Sequence, residues 1–479
     1  MTQRAPQIVI LAAGKGSRMK SARPKVLHGL AGRSMLAHVM ALAAKAGAAA
    51  PAVVIGPDMQ DVRAEVLNAA PAARFFVQQQ QKGTADAVLA ARQAIDPQGG
   101  EVIVLYGDTP LIEIATIERL QRALGGGAAD GAAGEPDQDG AAAGRRAAGA
   151  AITAGADVVV LGFDAADPTG YGRLLCDDSG QLRAIREHKD ASIEERRIRL
   201  CNSGVLGLRA AKLLPLLERI NSNNANGEYY LTDAIEIAHA DGLAIAAISC
   251  PEEEVLGINT RVQLAQAEAI YQARARHRFM LAGVTMIAPE TVWFSHDTEI
   301  AGDVIIEPNV FFGPGVSIAE GALIRANSHL EGARVGAGAR IGPYARLRPG
   351  ARIGDQAHIG NFVEVKNVTL GEGAKANHLA YLGDGSVGAR ANIGAGTIFC
   401  NYDGFNKSQT TIGAGAFIGS NSALVAPLEI GDGAYIGSGS VITKSVSPDA
   451  LALERSKQQE RPGWAARFRD MMQRRKTRT

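Results

Sequence analysis

The stretch VGAGARIGPYARLRPGARIGDQAHIG, residues 335–360, decides the fold of the second half of the chain. Every sixth position in it is apolar, and small or charged residues fill most of the positions between. The apolar positions are Val335, Ile341, Leu347, Ile353 and Ile359. This period is typical of a parallel β-helix of hexapeptide repeats, in which each short strand contributes one apolar side chain to a shared core.

The same six-residue period extends in both directions from this stretch. It is kept at Val304, Val310, Val316 and Ala322, again at Val365, and near the end at Ile412, Ile418, Leu424, Ile430, Ile436 and Ile442. The spacing shortens to five at residues 365–370 and 382–387, and the pattern disappears at 399–411. Loops leave a repeat scaffold where its period breaks, and loops carry function. We therefore expect functional residues near these breaks, where Lys366, His378, Tyr381, Asn401 and Tyr402 lie.

The first 258 residues alternate strand-like and helix-like patterns, which predicts an α/β domain. Candidate strands lie at residues 8–12, 52–55, 102–106, 158–163 and 204–208. Residues 260–282 contain no Gly or Pro and predict a linking helix, with Thr260 and Gln263 spaced as a capping box and Gly283 at its end. The chain is thus divided into a domain at 1–258, a linker at 259–283 and a repeat domain at 284–479.

Two segments have compositions unlike a packed domain. Residues 125–156 are almost wholly Gly, Ala and polar or charged residues, with Ile152 as the only large apolar side chain. Such a segment buries too little apolar surface to offset its ordering entropy, so we expect a mobile surface insertion. The chain closes on MMQRRKTRT, a basic tail that we expect to be solvated and disordered.

Composition limits the class of protein. The 479 residues predict roughly three units of domain size, and 46% hydrophobic with 21% charged residues is typical of a soluble globular protein. A net charge of +1 gives no global argument for nucleic-acid or membrane binding. No apolar run approaches a transmembrane helix, and the run at 8–13 is too short for a signal peptide. The four scattered cysteines predict reduced thiols in a cytoplasm.

The stretch ILAAGKGSRM, residues 10–19, places two glycines directly after a candidate strand. A Rossmann loop requires a third glycine where Met19 stands, and a Walker loop requires Ser or Thr directly after its Gly-Lys pair. Gly14 and Gly16 let the backbone approach a phosphate, while Arg18 and Lys25 bring two cations to the same turn. This pattern favours a triphosphate site, and the alternative is an ordinary glycine turn with solvated basic side chains.

The string LAAGKGSRM, with PK at 24–25, resembles the signature of sugar-nucleotide pyrophosphorylases. Further matching strings are QKGTADA at 81–87, YGD at 106–108, PTGYGR at 168–173, EHKDA at 187–191, CNSG at 201–204, NGEYYLTD at 226–233 and GIN at 257–259. With the hexapeptide half, nearly the whole chain is similar to the bacterial bifunctional N-acetylglucosamine-1-phosphate uridylyltransferase/glucosamine-1-phosphate acetyltransferase family, from which residues 125–156 depart. The resemblance implies a Rossmann-like α/β nucleotidyltransferase domain, a linking helix and a left-handed parallel β-helix.

The same resemblance implies what the enzyme does. Glucosamine 1-phosphate is acetylated from acetyl-CoA, and the product then attacks the α-phosphorus of UTP, releasing pyrophosphate and giving UDP-N-acetylglucosamine for cell-envelope polymers. Members of this family are trimeric through the β-helix, with the acetyl site between subunits. A single-activity pyrophosphorylase, whose β-helix serves only assembly or regulation, is the alternative. The strings NHLAYLGD at 377–384 and CNYDG at 400–404 favour two activities, since a purely structural coil has no reason to contain them.

Site residues of the first half follow from the matching motifs. The resemblance assigns the nucleotide and its surroundings to Leu11, Ala12, Ala13, Gly14, Gln78, Gly83, Thr84, Tyr106 and Gly107, the phosphates to Arg18 and Lys25, and the sugar to Gly172, Glu187 and Asn202. It makes Asp108 and Asn259 ligands of Mg²⁺, an ion that prefers hard oxygen ligands. The alternatives are purely structural roles, in which Asp108 caps a turn and Asn259 only precedes a helix.

Site residues of the second half follow in the same way. The resemblance makes His378 the base that takes a proton from the attacking amine. It assigns the sugar phosphate to Arg348, Lys366, Tyr381 and Asn392, and the acetyl-CoA and acceptor sites to Ala395, Asn401, Tyr402, Ser420, Ser438 and Arg455. The alternatives are that His378 lies on a solvated coil edge and that Arg348 and Lys366 are plain surface charges.

Overall fold

The computed structural model describes residues 5–14, 16–125 and 155–477, and the chain forms two compact units, residues 1–274 and 275–479. Most of the predicted insertion, residues 126–154, lies outside the described residues. Its two ends belong to the first unit, because Gly125 ends a helix and Ala156 is buried.

The first unit is built around one mixed sheet. Its strands are β1 Gln7–Leu11, β2 Gly29–Leu30, β3 Arg33–Ser34, β4 Ala52–Ile55, β5 Arg74–Val77, β6 Glu101–Tyr106, β7 Val158–Asp164, β8 Arg173–Cys176, β9 Leu182–Arg186, β10 Leu200–Arg209 and β11 Ile245–Ser249. Its helices are α1 Met35–Lys45, α2 Gln60–Ala69, α3 Thr84–Ala90, α4 Ile114–Gly125, α5 Ala210–Leu217 and α6 Asp233–Ala240. The sheet order is β11-β7-β10-β6-β1-β4-β5, with β8 beside β10 and β9 beside β8, while β2 and β3 form a separate pair.

The topology brings the predicted nucleotide motifs to one edge of this sheet. Strand β1 lies between β4 and β6 and is parallel to both. Leu11 is in register with Tyr106, so the loops that follow these two strands leave the sheet side by side. Ligands of open α/β sheets bind at the carboxyl ends of the strands. The α/β prediction is confirmed, and each of the five candidate strands corresponds to a strand of the structure.

Helix α7, Arg261–Leu281, begins with the predicted capping box. Thr260 Oγ1 accepts from the Gln263 backbone N–H at 3.2 Å, and Gln263 Oε1 accepts from the Thr260 N–H at 3.1 Å. The first half of the helix packs into the first unit. An apolar cluster there contains Leu30, Met35, Leu111, Ile258 and Ala267, with Leu256, Leu264, Ile270 and Tyr271 against it.

The second unit is a stack of coils with three parallel faces, consistent with the expected left-handed β-helix. Face one holds β12 Thr285–Met286, β14 Ile305–Ile306, β17 Leu323–Ile324, β20 Arg340–Ile341, β23 His358–Asn361, β25 Lys375–His378, β27 Asn392–Ile393, β30 Phe417–Ile418, β33 Tyr435–Ile436 and β35 Leu451–Ala452. Face two holds β15 Phe311–Phe312, β18 His329–Leu330, β21 Arg346–Leu347, β28 Ile398–Cys400, β31 Ala423–Val425 and β34 Val441–Ile442. Face three holds β13 Glu299–Ile300, β16 Ser317–Ile318, β19 Arg334–Val335, β22 Arg352–Ile353, β29 Thr410–Ile412 and β32 Leu428–Ile430.

Two longer strands explain the shortened spacing in the sequence. Strands β24 Glu364–Leu370 and β26 Tyr381–Val387 begin on face two and continue onto face three. The chain crosses the corner between these faces without a separate turn, so one residue of the period is lost. The pattern that disappears at 399–411 corresponds to a loop that leaves the stack, with Tyr402 and Lys407 bridged across it.

The predicted core positions are confirmed, but each strand contributes more to the core than we expected. All sixteen periodic residues are at most 4% exposed. Most coils bury a second apolar residue two positions away, on the later side at first, as at Val304 with Ile306, and on the earlier side from Val335 onward, as at Ala339 with Ile341. Residues two apart in a strand face the same side, so the core takes a pair of side chains rather than one.

The prediction of a disordered tail is wrong for the described residues. Residues 464–476 form helix α8, Trp464–Lys476, and none of its residues is buried. Gly463 has a φ of 75° at its N-terminal end. The run Trp464–Lys476 contains no internal Gly or Pro and is rich in Ala, Met, Gln and Arg, all of which favour helix over coil.

Candidate active sites

A cavity of about 250 Å³ lies in the first unit at the carboxyl ends of β1 and β6. Ten predicted site residues line it, namely Leu11, Ala12, Ala13, Gly14, Lys25, Gln78, Gly83, Thr84, Tyr106 and Asp108. Gly107 is bonded to the lining rather than part of it, and its backbone N–H donates to the Leu11 carbonyl at 2.9 Å. Three separate sequence motifs therefore meet at one cavity.

Lys25, Asp108 and Asn259 form a cluster at this cavity. The Lys25 ammonium donates to Asp108 Oδ2 and, at 2.9 Å, to Asn259 Oδ1. The Asp108 backbone also accepts from the Ile258 N–H at 3.0 Å, which fixes the two segments together. Two hard oxygen atoms thus converge on one cationic group, and they fit a Mg²⁺ ion, which prefers this donor type. Among the described residues no group of three His, Cys, Asp or Glu side chains could hold a metal.

Two positions near the cluster require glycine, because neighbouring atoms lie too close for a side chain. Gly16 has a φ of 65°, and a side chain there would collide with Lys25. Gly83 has a φ of 127°, and a side chain there would meet the Tyr229 backbone N at 2.7 Å. Glycine adopts this left-handed region without steric cost and leaves room for the neighbouring chain.

The three residues assigned to the sugar lie together beside the cavity. The Asn202 N–H donates to the Gly172 carbonyl at 2.8 Å, and a Cβ on Gly172 would lie 3.4 Å from the Glu187 carboxylate. Thr232 donates its hydroxyl to Glu187 at 3.0 Å. Burial raises the pKa of the Glu187 carboxyl. The pKa of the Tyr106 phenol is also raised, first by burial and then by the charges of Asp108 and Glu187, so the two parts of the site are electrostatically connected.

Arg18 stands apart from the cavity lining. It lies in the short turn Ser17–Met19, and its side chain is exposed. Gln81 and Glu228 line the cavity although we did not single them out, and Gln81 donates to the Ala13 carbonyl. Both belong to the motifs QKGTADA and NGEYYLTD, so the signal for them was present in the sequence.

In the second unit, a column of predicted residues follows one corner of the β-helix. Asn361 is in register with His378, and the registers of the following coils are Ala376 with Ile393, Ile393 with Ile418, and Ile418 with Ile436. Four predicted residues each lie two positions after one of these paired residues. They are His378 after Ala376, Ala395 after Ile393, Ser420 after Ile418 and Ser438 after Ile436. Arg455 joins the column, since its guanidinium donates to the Ser438 carbonyl at 2.7 Å.

His378 is exposed at the end of β25. Its Nδ1 lies 2.7 Å from Asn361 Oδ1 on the preceding coil. An amide oxygen can only accept, so this contact places the proton on Nδ1 and leaves Nε2 as the free proton acceptor. The imidazole is therefore held in the tautomer that a base requires.

The predicted cations lie at the end of face two, where the chain turns toward face three. Arg348 donates to Glu364 at 2.8 Å, and Lys366 lies 3.6 Å from Asp384. Asp384 is held by Asn401, whose Nδ2 donates to it at 2.6 Å. Tyr381 begins β26 on this face, Tyr402 follows in the loop, and Asn392 begins β27 on face one.

Lys407 is a residue that we did not predict. The nearby Lys366 ammonium lowers the pKa of the Lys407 ammonium. The Asp384 carboxylate lies close to both ammonium groups, since its pKa is lowered by hydrogen bonds from Asn367 and Asn401 and by the charges of Lys366 and Lys407. The loop at 401–411 brings Lys407 here, and no periodic pattern in the sequence indicated its position.

Two family models and a set of relatives match this chain. The family described as "MobA-like NTP transferase domain" matches residues 8–190, and "Bacterial transferase hexapeptide (six repeats)" matches residues 332–367 and 409–444. Fold and sites thus define a nucleotidyltransferase joined to a hexapeptide acyltransferase. The relatives include proteins named "Bifunctional protein GlmU" from Azorhizobium caulinodans (54% identical, 98% of each chain covered), Bradyrhizobium sp. (53%, 98% of each) and Agrobacterium fabrum (51%, 98% of this chain and 97% of the relative). The chain belongs to the GlmU family of bifunctional transferases, which confirms the prediction of two activities over the single-activity alternative.

Proposed function

We propose that the second unit transfers acetyl from acetyl-CoA to the amine of glucosamine 1-phosphate, and that the first unit then transfers uridylyl from UTP to N-acetylglucosamine 1-phosphate with release of pyrophosphate. The observation that supports this proposal is that each unit holds its own cluster of candidate site residues. Lys25, Asp108 and Asn259 converge in the first unit, and His378 heads a column of ligand-binding candidates in the second. Each cluster suits one of the two reactions.

Uridylyl transfer needs positioning and charge neutralisation, and it needs no covalent intermediate. Lys25 lies at the cavity and Arg18 in the adjacent exposed turn, so the two cations neutralise the triphosphate as pyrophosphate leaves. Glu187, Asn202 and Gly172 hold the sugar so that its phosphate faces the α-phosphorus. Asp108 and Asn259 would hold a Mg²⁺ ion, which would supply charge neutralisation at the phosphates.

Acetyl transfer needs an unprotonated amine. His378 takes the amine proton at Nε2 as the C–N bond forms and the C–S bond of the thioester breaks, and the departing CoA thiolate then receives that proton, while Asn361 keeps Nδ1 protonated. Arg348, Lys366, Tyr381 and Asn392 bind the sugar phosphate. Ala395, Asn401, Tyr402, Ser420, Ser438 and Arg455 line the path of acetyl-CoA along the column.

The enzyme acts as a cytoplasmic homotrimer assembled through the β-helix, with no nucleic-acid partner. Support comes from the hexapeptide repeats, which are consistent with oligomerisation, and from cysteines that form no disulfide among the described residues. None of the described helices is long and apolar enough to cross a membrane. The domains are residues 1–258, with the insertion at 125–156, and 284–479, joined by 259–283.

One assay tests this function when it is run with all substrates and then with UTP or acetyl-CoA left out. With glucosamine 1-phosphate, acetyl-CoA, UTP and Mg²⁺ present, UDP-N-acetylglucosamine should form. Without UTP, N-acetylglucosamine 1-phosphate should accumulate. Without acetyl-CoA, no nucleotide sugar should form until N-acetylglucosamine 1-phosphate is supplied. A nucleotide sugar made at full rate from glucosamine 1-phosphate and UTP in the absence of acetyl-CoA would contradict the assignment.

A further inference from the structure

Helix α8 carries an uncovered apolar stripe. Trp464, Phe468, Met471 and Met472 stand four, three and one residues apart, which places them on one side of a helix. Their exposed fractions are 52%, 42%, 48% and 44%. The rings of Trp464 and Phe468 stack at 5.1 Å between centroids. Four large apolar side chains thus present one continuous face to the surroundings.

Cations border this stripe on both sides. Arg467 and Arg474, seven residues apart, follow one edge, and Arg469 and Lys476, also seven apart, follow the other. Asp470 and Gln473 lie on the opposite face. Only Arg475 falls on the stripe itself, in the last turn, where a long side chain can reach past the end of the helix. The pattern is typical of helices that lie in the plane of a membrane surface.

Charge is also segregated along the chain. Residues 455–479 hold nine of the 50 Lys and Arg side chains and two of the 49 Asp and Glu, so they carry a formal charge of +7. The remaining 454 residues then carry −6, although the whole chain has a net charge of only +1. An anionic surface therefore attracts this end of the chain and repels the rest, which orients the protein on it.

We propose that α8 is an interfacial helix that docks on an anionic lipid bilayer. The stripe enters the headgroup region, and the bordering cations contact lipid phosphates. Thirteen residues span about 20 Å. The helix is thus too short and too charged to cross the bilayer, in agreement with the absence of a membrane-spanning helix among the described residues.

Two other occupants fit the helix less well. Pairing of the stripes of two copies would bring the bordering arginines of both helices together, and like charges at close range repel. A nucleic acid would use the cations and could stack bases on the two aromatic rings, but it would leave the two methionines without a role. Lipid is the partner that uses the stripe and its borders together.

Vesicle binding by the full-length protein tests the proposal. In a Trp293→Phe background, Trp464 is the only tryptophan, since the chain has two. Mixing with phosphatidylglycerol-containing vesicles at low salt should shift its fluorescence to the blue, and vesicles of phosphatidylcholine alone should not. High salt should reverse the shift, because exposed charges are screened.

Co-sedimentation with the same vesicles then separates the stripe from the charges. The double variant Trp464→Ser, Phe468→Ser should bind at least about tenfold less, and the matched variant Ala466→Ser, Gln473→Ser should bind as well as the parent. Asp470→Asn should bind more tightly, by up to about fivefold. Both transferase activities, measured without vesicles, serve as the folding control for each variant.

Three results would overturn the proposal. The first is equal binding of the stripe variant and the parent, which would reduce the effect to unspecific charge attraction. The second is a loss of oligomer mass in the stripe variant, which would assign the stripe to contact between copies. The third is binding to single-stranded RNA that the stripe variant loses while no vesicle binding is detected in the parent.

Discussion

At the scale of single residues, His378 carries the most specific prediction. His378→Ala should slow acetyl transfer by about 10²- to 10⁴-fold, because the amine loses its positioned proton acceptor. Acetyl-CoA binding should change much less, since the imidazole acts on the acceptor nitrogen. Uridylyl transfer from supplied N-acetylglucosamine 1-phosphate reports that the protein is folded. The matched variant is His329→Ala, which removes another exposed histidine of the β-helix, stacked on Phe311. Acetylation within a factor of a few of the parent at saturating substrate would show that His378 is not the base.

Asp108 gives the complementary prediction for the first unit. Asp108→Ala removes the anionic member of the Lys25 and Asn259 cluster, so uridylyl transfer should fall by about 100-fold or more. The Mg²⁺ concentration for half-maximal rate should rise. Acetyl transfer, which needs no metal, should persist. Asp61→Ala, an exposed carboxylate on α2, is the control and should leave both rates unchanged. Equal loss of both activities would indicate misfolding.

Sequence motifs predicted most of the residues that line the first-unit cavity, because the residues they contain lie at the ends of adjacent strands. Asp108 and Lys25 are 83 residues apart in the chain, and the parallel pairing of β1 with β6 brings their loops together. The motifs could not show that Lys25 bonds both Asp108 and Asn259, since that depends on the packing of a third segment. Lys407 was missed for a similar reason: it reaches Lys366 through an irregular loop, and loops have no period to read.

At the scale of elements, one coil of the β-helix gives a stability prediction. Leu424 in β31 is fully buried, and Leu424→Ala should destabilise the second unit by about 2–5 kcal/mol through lost burial and a cavity. Val441 lies on the next coil, in β34, and is 47% exposed. Val441→Ala should cost about 0.5 kcal/mol or less. Urea unfolding followed by acetyl transfer measures both, and a similar cost for the two variants would contradict the assigned core.

Elements with a regular period could be predicted, and those shaped by their neighbours could not. The six-residue period predicts the coils because each inward side chain repeats the same environment. Strands β8 and β9 were missed, since their residues alternate weakly and their pairing is with each other and with β10. Helix α8 was missed because its high charge was taken as a sign of disorder, although its spacing of Trp464, Phe468 and Met471 is helical.

At the scale of the whole molecule, the position of α7 predicts where the chain can be divided. Leu264, Ala267 and Tyr271 pack with Leu30 and Met35, and Arg274 donates to the Leu111 carbonyl at 2.8 Å. A fragment of residues 1–274 should keep uridylyl transfer and lose acetyl transfer. A fragment of residues 1–260 keeps Asn259 but lacks this packing, and it should melt several degrees lower. Thermal melting with activity decides it, and equal stability of the two fragments would show that the helix contributes nothing to the first unit.

Mixing two inactivated variants tests the claim that one chain carries two independent sites. His378→Ala and Asp108→Ala are purified separately and supplied with glucosamine 1-phosphate, acetyl-CoA, UTP and Mg²⁺. Neither variant alone should make UDP-N-acetylglucosamine at an appreciable rate. The mixture should make it after a lag, because N-acetylglucosamine 1-phosphate released by the Asp108 variant is the substrate of the His378 variant. A mixture no more active than either variant alone, with both variants folded, would contradict the claim.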